Sequence, residues 1–208
     1  MSAVDPTTSD GEPATFDTLV LGIGNVLWAD EGFGIRAVEL MNERYEFPDN
    51  VRVMDGGTQG IFLLPWVRGA DRLLIFDAVD FGLPPGTLKV VEGDDVPRYM
   101  GIKKMSMHQA GFQEVLSTAE LSGELPAEIV LIGVQPERLD DFGGSLRDVV
   151  REQIGPAVDI AINALGQWGI TAVSRGEPLP GADRVGPGAL EIEYYELGRP
   201  RLGTPSTT

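Results

Sequence analysis

Residues 18–41 read TLVLGIGNVLWADEGFGIRAVELM, and this stretch decides the fold class. Thr18-Leu19-Val20-Leu21-Gly22-Ile23 is a short, strongly apolar run with the length of a strand covered on both faces. Gly22 and Gly24 then supply a tight turn. Beyond it Ile35, Val38 and Met41 recur at helical spacing, and Leu40 widens that face.

The alternation repeats along the chain. Val51-Arg52-Val53-Met54-Asp55, Arg72-Leu73-Leu74-Ile75-Phe76-Asp77 and Glu128 to Val134 read as further strands, and Gly86 to Glu92 as a weaker one at an edge. Ile61, Leu64 and Val67 mark a second helix. A third starts at Ser106, where Ser106-Met107-His108-Gln109 fits a capping box, and carries Phe112, Val115, Leu116 and Ala119 on its apolar face. The last runs from about Ser145 to Trp168, with Pro156 expected to kink or divide it. Strands alternating with helices predict an α/β fold, a three-layer α/β/α sandwich around a twisted, mostly parallel sheet of about five strands. Residues 1–16 are expected to be a disordered acidic tail. Residues 17–170 form the α/β domain, and 171–208 a Gly/Pro-rich extension that is extended or disordered.

Composition narrows the function. The chain has 208 residues, 42% apolar and 23% charged, which is ordinary for one globular domain. No apolar run reaches the ~18 residues of a membrane span, and the N-terminus lacks the basic and apolar regions of a secretory signal. Cysteine is absent, which excludes disulfides, thiolate metal sites and a cysteine nucleophile and fits the cytoplasm. A net charge of −16 repels phosphate backbones, so nucleic acid is not an expected partner. The same charge attracts a basic peptide or a cation, although keeping the protein soluble is the commoner use of such a surface.

Acidic residues gather at strand and loop ends. Glu31, Asp55 and Asp77 converge on one rim if the strands are parallel, and Asp30 and Asp80 lie beside them. A carboxylate ending a buried strand needs a metal, a cation or an N–H as partner. Taken singly, each is more often a cap or turn residue. His108, the chain's one histidine, falls in the first turn of the third helix, where the helix dipole favours the neutral, ligand-competent imidazole. Such oxygen and nitrogen ligands suit nickel, zinc or iron. Asp55-Gly56-Gly57-Thr58 offers backbone N–H groups and a hydroxyl to a bound peptide, or else a strand-to-helix turn capped by Thr58. Neither Gly-x-Ser-x-Gly nor His-Glu-x-x-His occurs.

Five segments, in order, resemble the motifs of the hydrogenase maturation endopeptidases: Leu21–Gly34, Asp55–Gly60, Leu74–Asp80, Lys104–Gln109 and Gly133–Glu137. The resemblance spans about residues 17–168, and the tryptophan in its opening motif looks most like the uptake-hydrogenase branch. It implies an endopeptidase that removes the C-terminal extension of the nickel-iron hydrogenase large-subunit precursor after nickel insertion. It also implies that Glu31, Asp77 and His108 coordinate nickel carried by the substrate, with no tightly bound metal of the enzyme's own. Glu31 and Asp77 are then candidates for activating water, in the manner of an aspartyl-type endopeptidase. Asp55, Gly56, Gly57 and Thr58 would hold the substrate tail. The expected state is a monomer. Two other classes compete: a non-proteolytic nickel-checking assembly factor that keeps the same ligands, and a nucleotide-binding module built on Gly22 and Gly24, against which Leu27 stands where a third glycine is required.

Overall fold

A computed structural model describes residues 16–102, 107–177, 179 and 185, and the side chains of residues 100–110 lie outside that description. The chain runs through β1 (Thr18–Ile23), α1 (Phe33–Arg44), β2 (Tyr45–Glu46), β3 (Val51–Gly57), α2 (Leu64–Arg68), β4 (Arg72–Ala78) and β5 (Leu88–Glu92). It continues through α3 (Asp95–Ile102), α4 (Met107–Ser122), β6 (Glu128–Val134), α5 (Asp148–Arg151), α6 (Ile154–Gln167) and β7 (Val173–Ser174). Short 3-10 turns at Ala29–Gly32 and Gly60–Leu63 lead into α1 and α2.

The central sheet has five strands in the order β3-β1-β4-β6-β5. The first four pair in parallel, and β5 joins the β6 edge antiparallel. Each face of the sheet carries its own core. Leu19, Leu21, Ile23, Leu73 and Ile75 point to the side covered by α2 and α4, where Trp66, Val67, Phe112, Val115 and Leu116 meet them. Val20, Leu74, Phe76 and Ala78 point to the side covered by α1, α5 and α6, against Phe33, Val38, Met41, Val150, Val158 and Leu165. Neighbouring residues of one strand are thus buried on opposite faces, which is why these strands read as unbroken apolar runs. The predicted three-layer sandwich is the observed architecture.

Glycine allows the closest contact between layers. A Cβ on Gly34 would overlap the carbonyl oxygens of Ile23 and Phe76, and one on Gly22 would overlap that of Gly34. The start of α1 therefore lies directly on the ends of β1 and β4, a contact any larger residue would push apart.

Three local features depart from the expectations. The last helix is divided before Pro156 rather than at it. α5 ends at Arg151, and Pro156 sits in the first turn of α6, where its missing N–H has no intrahelical partner to lose. α3 was not legible from periodicity; it is pinned by Val96, which is fully buried. β7 pairs with β2, and Arg175 secures that pairing by donating to the Asn42 carbonyl and the Glu46 carboxylate. The tail through residue 15 and most of the extension past 177 fall outside the described residues.

Candidate active site

The site is built where the strand order reverses. From β1 the chain steps to one side for β3 and then to the other for β4 and β6, so the carboxyl ends of β1 and β4 bound the crevice at the switch point. Both of the buried carboxylates singled out at that rim lie there. Asp77 is the penultimate residue of β4, level with Gly133 of β6, and is fully buried. Glu31 sits in the 3-10 turn that follows β1 and lies against β4, and only 6% of it is exposed.

The glycine turn after β1 serves Glu31. Gly24 adopts φ +139, and a Cβ there would overlap the Glu31 carbonyl oxygen. That oxygen accepts the Asn25 N–H at 3.0 Å, and the Glu31 N–H donates to the Trp28 carbonyl at 3.0 Å. The Asn25 side chain closes the turn by accepting the Leu27 N–H. Gly-x-Gly here is the hinge of a strand-to-loop turn, and its backbone seats a carboxylate. Burial pushes the Glu31 carboxyl up to about 7.

Asp55 and its glycines form the other wall. Asp55 is level with Gly22 of β1, and the register then slips so that Ile23 faces Gly57, which makes Gly56 a bulge residue. Asp55, expected to end its strand, is therefore followed by two more strand residues. Thr58 is exposed, and the following 3-10 turn begins after Gln59 without a side-chain cap, so the capping reading of Thr58 does not hold. Burial raises the Asp55 carboxyl, against the opposing pull of the Gly57 N–H and the Arg36 charge. Its Oδ1 is buried and meets no hydrogen-bond donor among the described residues. A buried carboxylate oxygen left this way marks a place for a ligand donor or water.

His108 lies in the first turn of α4, as the capping pattern predicted, although Ser106 and the His108 side chain fall outside the described residues. Its helix is placed by the backbone. Gly111, one turn further on, packs directly on Gly60, so the start of α4 adjoins the loop that follows Asp55–Thr58. Among the described residues, which exclude that imidazole, no three His, Cys, Asp or Glu side chains form a metal-binding group.

Three residues that brace the site escaped the sequence reading. Asp30 was visible only as an acidic neighbour of Glu31. It is fully buried, and its carboxylate accepts the backbone N–H groups of Glu137 (2.9 Å), Arg138 (2.7 Å) and Arg147 (2.7 Å). Gln135 binds the loop after β4 to the end of β6. Its Oε1 accepts from Phe81 and Leu83, and its Nε2 donates to Asp80. Arg36 is a buried guanidinium on α1 that donates to Glu39 at 2.8 Å and faces the charge of Asp55. A basic residue three positions after Phe33, on a face that is otherwise apolar, was the available signal.

Known proteins share this sequence and fold. The hydrogenase maturation protease (HycI) family profile matches residues 35–164. The hydrogenase expression/formation protein HoxM of Azotobacter vinelandii is 59% identical over 182 residues, 88% of this chain and 86% of that protein. The hydrogenase 2 maturation protease of Escherichia coli is 40% identical over 158 residues, 76% of this chain and 95% of that one. The solved structure of the hydrogenase maturating endopeptidase HybD from E. coli superposes with a TM-score of 0.72 at 38% identity, covering 77% of this chain and 98% of that one. A profile match over most of the core, relatives above half identity and a shared fold together establish that this chain belongs to the hydrogenase maturation protease family.

Proposed function

We propose that this endopeptidase removes the C-terminal extension of the nickel-iron hydrogenase large-subunit precursor once nickel has been inserted, and that it senses the substrate-borne nickel through Glu31, Asp77 and His108. The observation that carries the reading is the pair of buried carboxylates on either side of the strand-order reversal. Two carboxylates and one imidazole are hard and borderline donors suited to a divalent nickel ion. Three ligands leave coordination positions open, which fits a metal that arrives already held by the substrate. The free protein should accordingly bind nickel weakly, and submicromolar affinity without precursor would sink the idea of a substrate-borne metal.

The chemistry follows from the environment. Glu31 and Asp77 would fix the precursor's nickel at the crevice, bringing the scissile bond beside them and raising the effective concentration of the reacting groups. Nickel would polarise the peptide carbonyl or a water. The metal, or a carboxylate at the crevice, would then help water attack the peptide carbonyl. The Asp55–Thr58 wall would hold the tail by backbone N–H and carbonyl groups. Among the described residues no helix is long and apolar enough to cross a membrane. The reading places the protein in the cytoplasm as a monomer.

The test mixes the purified protein with nickel-loaded and nickel-free precursor and reads intact masses. Loss of a C-terminal peptide from the loaded form alone is expected. Equal cleavage of both forms would remove the nickel-sensing role. Stable binding without cleavage of either would make the protein an assembly factor.

A further inference from the structure

The loop after β1 and the loop after β6 are joined into one rigid unit that ends in an exposed aromatic pair. Trp28 and Phe142 form an isolated antiparallel bridge, and their rings meet edge to face at 5.2 Å. They stay in solvent, Phe142 at 69% exposure and Trp28 at 36%. Most exposed apolar side chains need no explanation. This pair differs because its position is built. Gly143 donates to the Leu27 carbonyl at 2.7 Å and Ala29 to the Gly144 carbonyl at 3.1 Å, one bond on each side of Trp28. Arg147 holds Asp141 beside Phe142. Beneath them the Asp30 carboxylate gathers three backbone N–H groups of the β6 loop.

The backbone is also strained at this point. Ala29 has φ +43, the one left-handed non-glycine residue among those described. Strain of that kind persists where surrounding contacts over-determine it, and it collects at functional sites. Here it turns the chain between Trp28, which faces solvent, and Asp30, which is buried.

The pair is continuous with the active site. The Glu31 N–H donates to the Trp28 carbonyl, so ring and carboxylate belong to one 3-10 turn. Trp28 thus stands three residues before Glu31 at the entry of the turn that carries the carboxylate, which puts the aromatic pair on the same loop as the site. Rigid, half-exposed aromatics on a fixed frame are the side chains that most often carry binding energy at protein interfaces, because little conformational freedom is lost when they are covered.

We propose that Trp28 and Phe142 form a preformed aromatic contact for the substrate polypeptide, packing against an apolar segment of the precursor next to its scissile bond. The assignment rests on the endopeptidase reading. It adds a recognition element that acts on polypeptide rather than on the metal.

Phe142 is the residue to change, since its exposure lets it be replaced without opening the core. Steady-state cleavage of nickel-loaded precursor and equilibrium binding of the same precursor would be measured for the wild type, Phe142→Ala, Phe142→Asp and Phe142→Tyr. Leu121→Asp, 90% exposed on α4, serves as the control. The expectation is a KM and Kd raised about tenfold for Phe142→Ala and further for Phe142→Asp, with kcat within about twofold. Phe142→Tyr should retain wild-type values, and Leu121→Asp should change neither constant. Wild-type KM and Kd in Phe142→Asp would overturn the contact, as would a fall in kcat at constant KM, which would make the pair a structural prop. A change in sedimentation on substitution, with KM unmoved, would reassign the pair to self-association and likewise overturn it. Binding is read separately from cleavage, so a wild type that binds but does not cut would refute the protease reading while the Phe142 series still decides this one.

Discussion

The two walls of the crevice are built on different principles. On the β1–β6 side, Asp30, Gln135 and a set of backbone bonds fasten the loops to one another, and Glu31 sits on a turn with little freedom to move. On the β3 side, Asp55 has a buried oxygen without a donor, Thr58 is exposed, and Ile61 and Phe62 of the next turn stand largely in solvent. The first wall is braced by bonds between its loops, and the second carries an exposed turn beside the Asp55 oxygen. A group that must meet a metal at fixed geometry benefits from the first arrangement. A surface that must accept the backbone of another chain needs the second, because its polar groups have to be free to pair.

The largest effects should follow from removing the proposed nickel ligands. Asp77→Asn and His108→Ala should fold as the wild type does and lose precursor processing by at least about a thousandfold, since both metal capture and positioning fail. Intact-mass time courses with melting curves alongside would check this. Normal processing by His108→Ala would remove that residue from the mechanism.

Breaking the braced wall should cost stability first. Asp30→Ala leaves three backbone N–H groups without their acceptor in a fully buried place. A destabilisation of about 3 kcal/mol or more is expected, which is roughly a 6–12 °C fall in Tm for a chain of this size. Thermal melts report it. A variant that melts like the wild type would show that the two loops are held together by other contacts.

Glu31 gives a pH signature within the same wall. In the folded protein its carboxyl holds a proton to about 7, against an ordinary value of 4.5. The folded state therefore binds the proton more tightly than the unfolded chain, and the contribution of Glu31 to stability falls as pH rises from 4.5 through 7. Glu31→Gln should flatten that dependence and raise Tm above the wild type at pH 8 by a few degrees, while abolishing processing. Ligation runs the opposite way, because only the carboxylate coordinates. Precursor binding should weaken as pH drops below about 7 in the wild type.

How much of this was legible in the sequence depends on the kind of residue. β1, β4 and β6 could be read because burial on both faces leaves an apolar run. Glu31, Asp55 and Asp77 could be placed on one rim because parallel strands share an end. Asp30 could not be separated from Glu31, since both are acidic residues in the same turn and only the donors brought by the β6 loop, more than a hundred positions later, distinguish them. Gln135 escaped for the same reason, being defined by what it ties together rather than by a local pattern. The β3 bulge at Gly56 was hidden because a register shift is a property of two strands.

Asp55 offers the finest test of the contrast, and the smallest expected effect. Its carboxylate is raised by burial, and one oxygen has no donor among the described residues, so the folded protein gains little from the charge. Asp55→Asn should leave stability within about 1 kcal/mol of the wild type, and at pH 8 should increase it slightly. If the unsatisfied oxygen exists to accept a donor from the precursor's tail, the same substitution should raise KM several-fold without lowering kcat. A variant equal in Tm and higher in KM would establish the β3 wall as a surface kept open for substrate. A large loss of Tm would mean instead that Asp55 is held by a partner beyond the described residues, and the two walls would then differ less than their hydrogen bonds suggest.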